Sequence, residues 1–94
     1  MEIYTIYDEA VQAFGTPLFC KTDLEMVREL RAFLNFGKED SMMQKYPQQF
    51  ILYKLGKWNY NTARFDLLEK PIRLYSLETL VDKKSQEISL DQEE

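Results

Sequence analysis

Lys54, Lys57, Trp58, Tyr60 and Arg64 crowd one short stretch of the chain, and of all its side chains they are the best suited to engaging a ligand. Interleaved rings and cations are what single-strand nucleic-acid binders use. Bases stack on the rings at about 1–3 kcal/mol each, while Lys and Arg follow the phosphates. The same stretch reads equally as a solvated hairpin face, with Trp58 folded back over a sheet and Tyr60 covering a turn. Other candidates are poorer. Asp8, Glu9 and Asp23 are the nearest approach to a carboxylate cluster, and Asp23 is already explained as a first-turn helix acid. Glu39 and Asp40 are adjacent and would face different ways on any regular element. With no His and a single Cys, the sequence excludes Ser-His-Asp and Cys-His machinery, a His/Cys zinc cage and an intrachain disulfide. Its three glycines form no phosphate-cradling loop. We therefore expect a non-enzymatic protein without cofactor or metal, in which Cys20, set in the apolar stretch PLFCK, is a buried and unreactive small hydrophobe.

The distribution of charge narrows the partners. The 94 residues carry 12 Lys and Arg against 16 Asp and Glu, but four of the acids (Glu87, Asp91, Glu93 and Glu94) follow the last base, Lys84. The rest of the chain is formally neutral. Between Ser41 and Leu74, six bases (Lys45, Lys54, Lys57, Arg64, Lys70 and Arg73) meet only two acids, Asp66 and Glu69. Such a segment permits a polyanionic partner without demanding one. At 45% hydrophobic and 30% charged residues, the composition is that of an ordinary globular domain. The length suits one α+β domain over residues 1–82, followed by a flexible acidic tail over 83–94. The opening MEIYTIYDEA has neither the basic nor the apolar region of a signal peptide, and no apolar run approaches the ~20 residues that cross a bilayer. The expected location is the cytoplasm, with Cys20 reduced.

Stepping along the chain, IYTIY (residues 3–7) is β-branched or aromatic throughout and reads as a strand; PLFCK (17–21) is a second extended piece. Thr22-Asp23-Leu24-Glu25 has the form of a capping box opening a helix, whose apolar stripe is Leu24, Val27, Leu30 and Leu34, widened by Met26 and Phe33. Asn35-Phe36-Gly37 ends it. A short helical turn is expected around Met42, Met43 and Gln44, the two methionines filling gaps against the core. Residues 50–57 then read as a strand, 59–62 as a turn and 64–68 as the return strand, with Gly56 marking a bulge or a close backbone approach. Phe50, Leu52 and Lys54 share one face; Ile51, Tyr53 and Leu55 share the other. Residues 73–81 predict a last strand and a short helix. The fold class is α+β: a small, mostly antiparallel sheet with one main helix packed on one face, in the order β-(β)-α-β-β-(α).

Taken in order, Tyr7-Asp8, Ala13-Phe14, Pro17, Phe19, Thr22-Asp23, Pro47, Phe50, Leu52-Tyr53, Gly56, Trp58, Asn59 and Thr62 resemble the pattern of the small non-structural protein of single-stranded DNA phages in the Microviridae, specifically the gokushovirus branch. The resemblance covers roughly residues 3–72. Ala63 stands where relatives commonly have Gly, and Asn59 where Asp is commoner. What the resemblance implies is a non-structural accessory protein of the host-cell cytoplasm, similar in role to the small phage protein C, acting in viral DNA replication or packaging. It brings no catalytic residue with it. Two modes of action follow: binding of single-stranded DNA through Lys54, Lys57, Trp58, Tyr60 and Arg64, or a protein-protein module without DNA contact. In the second, a homodimer docks on a phage replication or assembly protein. Six Tyr suit such an interface, and an exposed sheet edge invites pairing across a two-fold axis.

Overall fold

The computed structural model describes residues 1–38 and 40–82. Glu39 and the acidic tail expected over 83–94 lie outside the described residues. The fold is α+β, a curled antiparallel sheet carrying one main helix. Strands β1 (Glu2–Asp8), β2 (Ala13–Phe14), β3 (Leu18–Cys20), β4 (Phe50–Asn59) and β5 (Arg64–Ser76) form the sheet, with the helices α1 (Asp23–Phe36) and α2 (Met42–Lys45) between β3 and β4. Single 3-10 turns occupy Pro47–Gln49 and Leu77–Leu80.

β1 lies inside the sheet. One of its edges pairs with β4, from Asp8 opposite Phe50 to Glu2 opposite Lys57; its other edge pairs with β2 near Tyr7 and with β3 from Glu2 to Tyr4. Two short strands can share that edge because residues 15–17 cross between them, with the Gly15 amide donating to the Ile6 carbonyl. β2 was absent from the expected order. Two residues between loops are too few to show a period.

One face of the sheet receives α1. Tyr4, Cys20, Phe50 and Leu52 meet Met26 and Leu30 of the helix and Leu77 and Leu80 of the last turn, and Ile6, Leu18, Val27, Leu34, Met43 and Leu74 pack around them. Leu24 does not join this stripe; it is 71% exposed. The buried line runs through Met26 and Leu30, one turn apart, which places Leu24 outside it. Thr22 caps the helix, its hydroxyl accepting from the Glu25 amide at 3.1 Å. At the far end Gly37 has an ordinary extended backbone. Its role is space, because a Cβ there would lie 2.5 Å from the Phe33 carbonyl oxygen and 2.7 Å from Gln44 Nε2. That amide donates to the carbonyls of Phe33 and Gly37, both at 3.0 Å, closing α1 from outside. Gln44 is held for this by a full capping box with Ser41. Of the two methionines, Met43 packs on the core and Met42 is exposed.

β4 and β5 form the predicted hairpin, but the return strand is far longer than residues 64–68. It runs on through Pro71 to Ser76 and absorbs the separate strand expected from Arg73. Pro71 is tolerated because β5 ends the sheet and has a free outer edge among the described residues.

Candidate functional site

The hairpin's outer half is an arm. Residues 60–73 are all exposed, and on β4 only Trp58 and Asn59 are half-buried beyond Gly56. The turn is built by Asn59, whose side-chain oxygen accepts from the amides of Asn61 (2.9 Å) and Thr62 (3.2 Å), while its carbonyl accepts from Ala63. Ala63 takes the left-handed backbone, φ 58°, at the position where the resemblance leads one to expect Gly. The Asn59 amide also donates to Asp66 Oδ2 at 3.1 Å, tying the turn to the return strand.

Gly56 determines which side chains share a face. Tyr4 pairs with Lys54, but Ile3 pairs with Gly56, so Leu55 is an extra residue on β4. On the other side Lys54 pairs with Ile72 and Gly56 with Leu67, leaving residues 68–71 bulged. Alternation restarts after the bulge with inverted parity. Gly56 and Trp58 fall on the face of Ile3, together with Phe65 and Leu67 across the hairpin; Lys57 and Asn59 fall on the opposite face with Arg64 and Asp66. Gly56 has φ 151° and lies so close to β5 that a Cβ would meet the Asp66 carbonyl oxygen at 2.3 Å.

The five side chains expected to act together are therefore divided. Trp58 meets Phe65 edge-on, ring centroids 5.0 Å apart, on the apolar face. Tyr60 stands at the turn, 70% exposed. Lys57 and Arg64 are exposed on the other face. Lys54 leaves the group altogether: its ammonium contacts Glu2 Oε1 at 2.9 Å and Asp23 Oδ1 at 3.0 Å and lies 5.9 Å from the centre of the Tyr4 ring. Both carboxylates would have to give Lys54 up before it could reach a nucleic acid. Lys70 and Arg73, counted in the basic segment but not in the expected site, also stand on the arm, and Phe65 is the ring that went unnamed. The alternation Arg64-Phe65-Asp66-Leu67 opposite Trp58 was the signal for Phe65.

The ion pairs around Lys54 anchor the base of the arm. Tyr4 is fully buried and its hydroxyl donates to Asp23. Burial first, and then this bond, hold the phenol far above its ordinary range. The Tyr4 hydroxyl, followed by Lys54, keeps the Asp23 carboxyl below the usual carboxylate range. Lys54 is raised, chiefly by its bond to Glu2.

Cys20 is 4% exposed, as expected, and its thiol donates to Glu29 at 3.6 Å. Burial, then the charge of Glu29, push the thiol up. With Glu25 it makes the one grouping among the described residues that brings three metal-ligating atoms within 4.8 Å of one another. The hydrogen bond to Glu29 accounts for the thiol as a neutral donor. Elsewhere, an open groove of about 540 Å³ runs between α1 and the β1–β2 loop, lined by Val11, Phe14, Met26, Phe33 and other apolar side chains, with Asp8, Thr16 and Glu29 its polar residues. No helix among the described residues is long and apolar enough to cross a membrane.

A family model described as Phage ORF5 protein matches residues 1–80, which takes in every described strand and both helices. No curated protein and no solved structure matches the chain.

Proposed function

The chain belongs to the Phage ORF5 protein family, and from that premise we propose that it is a non-structural accessory protein of a gokushovirus-type Microviridae phage, a counterpart in role of phage protein C. It acts in the host cytoplasm during viral DNA replication or packaging, as a binding protein and not an enzyme, and its ligand is single-stranded DNA. The observation that carries this reading is the arm itself. It presents the Trp58–Phe65 ring pair on one face and Tyr60 at its tip, with Lys57, Arg64, Lys70 and Arg73 against only Asp66 and Glu69. A ribbon one strand-layer thick lets a nucleic-acid strand stack on the rings while long basic side chains reach round the outer edge to its phosphates.

The test is fluorescence anisotropy of a labelled single-stranded oligonucleotide. Binding should be micromolar or tighter at low salt and should weaken as salt rises. The slope of log K against log salt should be about −0.7 for each phosphate neutralised. Trp58→Ala with Phe65→Ala should abolish most of it. An anisotropy that stays flat in low-salt buffer overturns the proposal.

A second reading, a protein-protein module without DNA contact, is favoured by the aliphatic residues of the same arm. Leu67 is 63% exposed and Ile72 50%. Neither can stack on a base, and both suit a protein surface. A phage replication or assembly protein that stays bound after nuclease treatment would support this reading.

A further inference from the structure

We propose that the arm pairs with the arm of a second copy of this chain, β5 against β5, about a two-fold axis perpendicular to the sheet and passing through Phe65. β5 is the last strand of the sheet and its outer edge is unpaired among the described residues. Such an edge is a template for another strand. A perpendicular two-fold keeps each face on its own side, so only residues of the same parity oppose one another.

That restriction leaves few registers, and charge decides among them. With the axis at Phe65, Arg64 of each copy stands opposite Asp66 of the other, and the two Phe65 rings meet at the centre. With the axis at Arg64 or at Asp66, like charges face each other directly, and at Leu67 Arg64 would oppose Lys70. Among the axes that fall within the regularly paired stretch 64–67, only the first is self-complementary; an axis at Leu68, which would set Asp66 opposite Lys70, falls in the irregular stretch. The Phe65 register also ends where it must, before Pro71, which lacks an amide hydrogen, and at the irregular stretch 68–71. Since Trp58 packs against Phe65 on the same face, pairing produces a four-stranded ribbon carrying a row of four rings, Trp58 and Phe65 from each copy. Pairing covers the outer edge and engages Arg64 with Asp66, so a nucleic-acid strand that draws cations round that edge would compete with the dimer, while both broad faces stay open. The pairing is independent of the DNA reading, because it is measured with no nucleic acid present. A contact confined to the arm tips falls below the ~1,000 Å² of a stable interface, which makes this a weak, concentration-dependent dimer.

Sedimentation velocity of the full chain, free of nucleic acid and run from about 1 to several hundred micromolar, tests it. The expected result is a reversible monomer–dimer equilibrium. Asp66→Arg and Arg64→Asp each turn both cross-copy pairs repulsive and should weaken the dimer at least tenfold, and the double swap should restore it. Should Asp66→Arg disturb the turn through Asn59, as read by Trp58 emission, Arg64→Asp alone and its rescue by the double swap decide the matter. A monomer at every concentration overturns the proposal, as does a dimer indifferent to both swaps.

Discussion

Replacing Gly56 by Ala should detach the arm while leaving the helix-covered core folded. The new methyl would sit 2.3 Å from the Asp66 carbonyl oxygen and 2.7 Å from the Leu67 Cα. Both obstacles are backbone of the neighbouring strand, so no rotamer change relieves them. The φ of 151° adds a strain of its own for an L-residue, about 1–3 kcal/mol. Forcing the methyl into packed backbone typically costs a further ~1–3 kcal/mol. The combined ~2–6 kcal/mol is a large fraction of the total stability of a chain this size, about 5–14 kcal/mol at typical values per residue. The clash lies between β4 and the far half of β5, and Leu67, Asp66, Phe65 and Arg64 are paired to the sheet only through β4 beyond that point. Opening the arm is therefore the least costly escape. Trp58, the only Trp in the chain, sits two residues past the substitution and loses Phe65 when the arm opens. Urea unfolding followed in parallel by Trp emission and by far-UV circular dichroism separates the outcomes. With a urea slope of about 1–3 kcal/mol/M, the Trp transition should move to lower urea by ~0.7 M or more, while the helix signal moves less. Two transitions that both superimpose on those of the parent protein would refute the reasoning.

Two further outcomes follow from the groups around the arm's base. Asp23 has a carboxyl pKa held below its unfolded value, so its stabilisation is fully present above about pH 4 and is lost as pH falls through the lower, folded value; the stability difference between the parent and Asp23→Asn should be about 1 kcal/mol at pH 7, modest because the side chain is half exposed, and denaturant melts should show it closing below pH 4 and not above. Cys20, buried and with its thiol pushed up, should react with a thiol reagent at least ~100-fold more slowly in the native protein than in urea, and comparable rates would place the thiol at the surface.

Much of the fold was legible because it rests on local signals that agree with one another. The first strand, the Thr22 cap, the hairpin turn at Asn59 and the helix-side face of Phe50, Leu52 and Lys54 all follow from side-chain period and turn chemistry, and the structure has each of them. The short turn around Met42, Met43 and Gln44 was expected, but its most consequential bond, Gln44 reaching back to close α1, depends on where the chain returns in space. Leu24 was misassigned although Val27, Leu30 and Leu34 of the same stripe, with Met26 beside them, do pack on the core: it stands at the helix start, at the edge of the stripe, where a small rotation of the helix decides exposure. Only the partner surface sets that rotation.

The grouping of Lys54 with Trp58 failed for a sharper reason. Read as an uninterrupted strand, positions 54, 56 and 58 share a face, and the cation and the ring belong together. Gly56 signalled an irregularity, but a bulge inverts parity from the extra residue onward, and the sequence does not say whether that residue is 55, 56 or 57. The pairing with β1 identifies it as Leu55. Lys54 keeps the face of Phe50 and Leu52, where Glu2 and Asp23 hold it, and the single insertion after it turns Trp58 to the far face, where Phe65 meets it. The same insertion gives the arm its division of labour, with rings on one side and the Arg64–Asp66 charge pattern on the other.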